Sequence, residues 1–145
     1  MPIWSRLTGR LLPPRQRPST GPRGEAIAAR FLKRQGYRIL RRNARTRFGE
    51  VDLLALAPDR RTLVLIEVKT CEVTPPVKPD ATDHLPEWRV TPHKQRRLVA
   101  LAAQLARQHR WTDRPWRFDV IGIDLLPKPH KPVIRHYPAA FDSHL

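Results

Sequence analysis

Glu67 and Lys69, in the run TLVLIEVKTCE (62–72), place a carboxylate and an amine two residues apart at the end of an apolar, strand-forming stretch. Strand side chains alternate, so the two point the same way, about 7 Å apart along the chain. A second stretch, EVDLLAL (50–56), carries Glu50 and Asp52 and is joined to the first through the turn-forming APDRR. A turn centred on Asp59–Arg60 sets Asp52 opposite Glu67, and Glu50 opposite Lys69. Facing strand residues have Cβ atoms roughly 4.5–5.5 Å apart, a separation at which two carboxylates can share a cation. Without positive charge between them, like charges so placed are destabilising.

Lys69 supplies part of that charge, and a divalent metal would supply more. Oxygen-only ligands suit Mg²⁺ or Mn²⁺, which keep several waters and bridge to phosphate oxygens. Such an ion activates water and stabilises charge developing on a phosphate. A lysine general base needs its pKa pulled well down, so charge stabilisation is the role the residue type favours for Lys69. The competing reading is a structural Glu67–Lys69 ion pair closing a strand, with Asp52 as its neighbour. The E-x-K pattern is short and common, and spacing alone leaves both readings open.

The elements that would position these groups are legible in outline. GEAIAARFLKRQG (24–36) has Ile27, Ala28, Phe31 and Leu32 at helical spacing and Gly36 as a stop. YRILRRN (37–43) reads as a first strand, followed by EVDLLAL and TLVLIEVK (62–69). The last two are apolar on both faces, the pattern of central strands covered on both sides. Residues 70 to 91 carry four prolines and read as a long loop. PHKQRRLVALAAQLARQH (92–109) is the clearest helix, with Pro92 in its first turn and Leu98, Leu101, Ala102 and Leu105 as its buried stripe. WRFDVIGIDLL (116–126) and PVIRHY (132–137) supply two more strands. The order is α-β-β-β-α-β-β, an α/β fold. Residues 1 to 22, with Pro13, Pro14, Pro18 and Pro22 among arginines, read as a disordered basic arm. Residues 23 to 141 form the expected domain, and 142 to 145 a tail.

Composition points to the partner. The chain has 28 Lys+Arg against 13 Asp+Glu, a formal charge of +15. Residues 1 to 50 hold 13 basic residues and two acidic ones, Glu25 and Glu50. Such a field attracts polyanions, nucleic acid foremost, without encoding sequence recognition or chemistry. The single cysteine, Cys71, rules out an intrachain disulfide and fits a reducing compartment. No stretch approaches the ~20 apolar residues of a membrane span, and the first residues lack a signal peptide's apolar segment; a cytoplasmic protein is expected. Phosphate-binding loops, serine-nucleophile elbows and paired cysteine ligands are absent from the sequence. The six histidines show no zinc-ligand spacing.

GPRGEAIAARFLKRQGYRILRRNART, FGEVDLLAL, LVLIEVKT, TPHKQRRL and RFDVI occur in an order and spacing that resemble the bacterial YraN-type family. That family is similar to archaeal Holliday-junction resolvases and to the wider PD-(D/E)xK nucleases, and the likeness spans roughly residues 21 to 141. The resemblance implies a restriction-endonuclease-like mixed central sheet flanked by helices. It further implies a Mg²⁺- or Mn²⁺-dependent endonuclease acting on DNA, branched DNA included. Asp52 and Glu67 match the superfamily's metal carboxylates and Lys69 its catalytic lysine. Glu25 matches a further acidic position of the resolvase-like branch, which would join Asp52 and Glu67 in holding the metal, although a first-turn Glu is also favoured by the helix dipole. Lys94 matches a polar position that reaches phosphate, with Gln95 beside it, and Arg45 and Arg47 are assigned to nucleic-acid binding. Asp119 of RFDVI shares a strand face with Arg117, which favours an Arg–Asp pair over a metal ligand. Glu50 is expected to pair with Lys69 or Arg47. The chain departs from the family at Cys71, where an arginine is usual, and in the Pro-rich CEVTPPVKPDATDHLPEW, which puts substrate contacts in doubt. Cutting a junction would require two active sites, hence a homodimer. The alternative is a non-catalytic nucleic-acid-binding module of the same fold. A third is a basic interaction protein whose E-x-K is structural.

Overall fold

A computed structural model describes residues 17–18, 21–73 and 92–141, the side chains of Arg17, Pro18 and Lys94 excepted. Helix α1 (Pro22–Arg34) begins with its proline in the first turn, where a missing N–H costs nothing. It ends in a Schellman arrangement: Tyr37 N–H donates to Leu32 O and Gly36 N–H to Lys33 O, with Gly36 at φ +90°. The chain then forms β2 (Arg38–Thr46), β3 (Gly49–Leu56) and β4 (Leu63–Glu72). Helix α2 (Pro92–Gln108), β5 (Trp116–Leu125) and β6 (Val133–Tyr137) complete the expected order.

The sheet runs β2-β3-β4-β5-β6. All neighbours are antiparallel except β4 and β5, which are parallel over Leu63–Glu72 and Trp116–Leu125. A parallel pair needs a crossover, and α2 lies within it. The sheet carries a core on each face. One gathers Val51, Leu54, Leu65 and Phe118 around Leu98, Leu101, Ala102 and Leu105 of α2. The other gathers Leu53, Ala55, Val64, Ile66 and Ile121 around Ala28, Ala29 and Leu32 of α1. Central strands covered on both sides are therefore what the continuous apolar runs encode.

Three boundaries differ from the sequence reading. Strand β2, expected to end at Asn43, runs to Thr46. Strand β4 continues to Glu72, so Cys71, expected in a loop, is a strand residue. Arg17–Pro18, expected in the arm, form a short strand β1 that pairs antiparallel with Glu72 and Cys71. The unpaired edge of β4 in that stretch is what admits them, because β3 has already left it. The rest of the arm (1–16 and 19–20), the loop from 74 to 91 and the tail 142–145 lie outside the described residues. Among the described residues no helix is long and apolar enough to cross a membrane.

Candidate metal-binding carboxylate site

The β3–β4 register is the one read from the turn: Leu53 faces Ile66, Leu54 faces Leu65, Ala55 faces Val64 and Leu56 faces Leu63. Pairing stops at Leu53, one residue short of Asp52. There the Val68 N–H, instead of meeting a β3 carbonyl, donates to Asp52 Oδ2 at 2.8 Å. Strict alternation also breaks at this point. Val51 packs with Leu54 on the α2 side, whereas Leu53 packs on the α1 side. The sheet thus forks at Asp52, and the side chain caps the fork with its own carboxylate.

Glu67 stands at the other prong, 1 % exposed. Its Oε1 receives Lys69 Nζ at 3.1 Å and its buried Oε2 meets no N–H donor; the Glu67 and Asp52 carboxyls hydrogen-bond each other, with Glu67 the member that holds the proton. Burial pushes the Glu67 pKa well up, the neighbouring Asp52 charge pushes the same way, and Lys69 opposes both without cancelling them. Asp52 is raised too: burial outweighs the Val68 N–H. Two buried carboxylates with one partly exposed ammonium are short of positive charge.

Glu25, in the first turn of α1, joins this electrostatic group. Burial raises its pKa first, then the Asp52 charge, against the Asn43 hydrogen bond and Arg42. Asn43 Nδ2 approaches Glu25 Oε2 at 3.4 Å, from a residue at φ +50° in the middle of β2. Asn43 was not singled out from sequence. The available signal was an asparagine, tolerant of the left-handed region, inside a strand pattern. Gly24 sets how close α1 comes: a Cβ there would overlap the Thr70 Oγ1 and lie 3.0 Å from its Cβ.

The remaining expectations separate. Glu50 pairs with Arg45, its cross-strand partner, and not with Lys69 or Arg47, because the β3–β4 ladder has ended before Glu50 could face Lys69. Arg45 is therefore tied to an acid, and the Arg47 guanidinium lies 4.8 Å from the Phe48 ring centroid. Lys94 and Gln95 fall in the first turn of α2. Asp119 is a structural acid as read. Arg117 Nε donates to Oδ1 at 2.9 Å and Nη2 to Oδ2 at 3.1 Å, while the Ala139 N–H donates to Oδ1 at 3.0 Å and His136 Nε2 lies 2.8 Å from Oδ2. Burial alone would raise the Asp119 pKa, but these donors outweigh it and hold it below the usual range. Arg117 also donates to the Tyr37 hydroxyl, so β5, β6 and the start of β2 are tied through one carboxylate. Cys71 is half-buried, and Trp111 and Trp116 pack at the edge of the α2-side core.

The family model described as uncharacterised protein family UPF0102 matches residues 24–123, from the residue before Glu25 to the body of β5. A UPF0102 protein of Pelobacter propionicus is 43% identical over 124 residues, covering 86% of this chain and 83% of the relative. One from Anaeromyxobacter dehalogenans is 40% identical over 127 residues, covering 88% and 87%. One from Chlorobium phaeobacteroides is 42% identical over 103 residues, covering 71% and 75%.

Proposed function

The chain belongs to the UPF0102 family, and from that footing we propose that it is a Mg²⁺- or Mn²⁺-dependent endonuclease hydrolysing phosphodiester bonds of DNA, branched DNA included. The observation that carries the reading is the fork at Asp52: a Glu67 carboxyl buried beside a second carboxyl and hydrogen-bonded to it, with no N–H donor on its Oε2. Buried polar groups short of donors in a native fold call for an explanation, an ion among them. The donor set fits Mg²⁺ or Mn²⁺. Mg²⁺ is usually held by one or two carboxylates with waters and substrate phosphate completing the shell. Among the described residues no group of three or more His, Cys, Asp or Glu side chains is arranged to hold a metal, so Glu25 does not complete the expected set with Asp52 and Glu67.

Asp52 and Glu67 would hold the ion, with Glu25 raising the local negative charge. When bound, it would supply a water of lowered pKa and stabilise charge on the phosphate. The chain's own contribution is positioning. The Val68 N–H fixes the Asp52 carboxylate, and Lys69 stands 3.1 Å from Glu67 as a cation that can neutralise a pentacoordinate phosphate. Lys94, with Gln95 beside it, would hold the phosphate backbone.

Calorimetric titration of Mn²⁺ into the wild type and an Asp52→Asn/Glu67→Gln variant, with unfolding followed in parallel, tests this. Saturable binding lost in a still-folded variant, together with metal-dependent cleavage lost in the same variant, is the expected result. Cleavage that survives the double substitution would overturn the assignment. The second reading is a nucleic-acid-binding module without turnover, favoured by the engagement of Lys69 with Glu67 and by the lack of a third protein ligand among the described residues. It predicts salt-sensitive DNA binding, indifferent to Asp52 and Glu67, with no cleavage.

A further inference from the structure

Strand β2 is an edge strand, bonded on one side to β3. Arg38, Arg41, Arg42 and Arg45 all lie on it and all are exposed. Consecutive strand residues point to opposite faces, and Arg41 faces Leu54 while Arg42 faces Leu53, so exposed arginines stand on both faces of this edge, between Leu40 and Ala44, which pack on the α2 side. Among the described residues the four arginines enter one ion pair, Arg45 with Glu50. Arg38 to Arg45 span about 23 Å at ~3.3 Å per residue. Over that length one strand of a duplex presents roughly seven phosphates. The row does not run anywhere on the surface: Arg42 is close enough to Glu25 to lower its pKa, and Asn43, the next residue, hydrogen-bonds the same carboxylate. The basic edge therefore passes directly beside the acidic fork.

We propose that the outer edge of β2, through Arg38, Arg41 and Arg42, is the surface on which the phosphate backbone of a DNA duplex is bound and led to the Asp52–Glu67 fork. The assignment of the fork as the destination rests on the nuclease reading; the binding edge itself does not. Charged residues on an edge strand also block edge-to-edge pairing between copies, but that needs no concentration of arginines on both faces of the edge beside a group of carboxylates.

The test is duplex-DNA binding across a salt series for full-length wild type, for Arg38→Gln/Arg41→Gln/Arg42→Gln, and for a charge-matched Arg107→Gln/Arg110→Gln/Lys131→Gln control, whose substitutions lie on other exposed parts of the surface. Each lost phosphate contact removes about 0.9 from the slope of log K against log salt. The β2 variant is expected to lose about 2.7 in slope and at least tenfold in affinity at 150 mM salt, and the control to stay within about threefold of wild type. A variant with all three arginines replaced by lysine keeps the charge and should keep most of the slope, which guards against a folding artefact. Equal slopes for the β2 variant and the control would overturn the proposal. So would arginine-dependent binding of phosphatidylserine vesicles without DNA binding, which would assign the edge to a membrane surface. Loss of binding in the β2 variant with no cleavage by wild type would sustain the edge and sink the nuclease reading. Cleavage by wild type with unchanged binding and cleavage by the β2 variant would do the reverse.

Discussion

At the scale of single residues, the chemistry turns on Glu67. Its folded-state pKa is raised by burial and by Asp52, so the folded protein holds a proton that the unfolded chain has released. Stability therefore falls as pH rises from the unfolded pKa through the folded one, and the penalty persists above it. Each unit of upward displacement is worth about 1.4 kcal/mol. Glu67→Gln keeps the shape and removes the charge, so it should raise the unfolding free energy at pH 8 by about 1 kcal/mol or more and flatten its pH dependence. A urea-melt series from pH 5 to 9 measures this; a less stable variant at pH 8 would show that the Lys69 pair dominates, as the structural reading of E-x-K expects. Asp119 has the opposite sign. Its donors depress the pKa, so its stabilisation is present above the unfolded value and lost as pH falls through the folded one. Asp119→Ala removes the acceptor of the half-buried Arg117, of His136 and of the Ala139 N–H, and should cost about 1–3 kcal/mol at pH 7, with a smaller difference from wild type in acid. Glu67 and Asp119 are both buried acids, and the sequence flagged both. Which is strained and which is satisfied depended on Arg117, His136 and the Ala139 N–H converging from two strands and a turn.

At the scale of elements, α1 and β4 decide where Glu25 stands. Gly24 is in contact with Thr70, one residue beyond Lys69 on β4. Gly24→Ala would force the first turn of α1 off the sheet, an overpacking cost of about 1–3 kcal/mol, and carry Glu25 away from Asp52. Thermal unfolding should show the loss, and a Gly24→Ala/Thr70→Ala double variant should recover part of it by removing the overlapping Oγ1. If Gly24→Ala matched wild type in stability and in Mn²⁺ affinity, the close approach would have no role in the site. Helix periodicity made α1 readable, and the Gly36 stop is the Schellman glycine of the structure. The need for glycine at position 24 was not readable, because it arises from a residue 46 positions away in sequence.

At the scale of the whole molecule, the charge of +15 has to be apportioned between the folded surface and the arm. Residues 1–16 carry Arg6, Arg10 and Arg15. Deleting them should lower the slope of log K against log salt for DNA by up to about 2.7 if all three meet phosphates, while leaving metal affinity unchanged because the fork lies in the sheet. Equal slopes with and without the arm, measured by fluorescence anisotropy, would confine binding to the folded domain. Arg17–Pro18 are retained in that deletion because they pair with β4.

The sequence by itself determined the element order, the two helices, the doubly covered central strands and the β3–β4 register, since all of these follow from local periodicity and one short turn. It also carried the family resemblance that the comparisons bear out. Only the tertiary structure decided that β3 leaves β4 at Asp52, that the Val68 N–H bonds the carboxylate, that Glu50 goes to Arg45, and that β2 is an edge with exposed arginines running to the site. Those outcomes depend on which strands are neighbours and where a ladder stops. Such choices are made by contacts between residues far apart in the chain, and no local pattern encodes them.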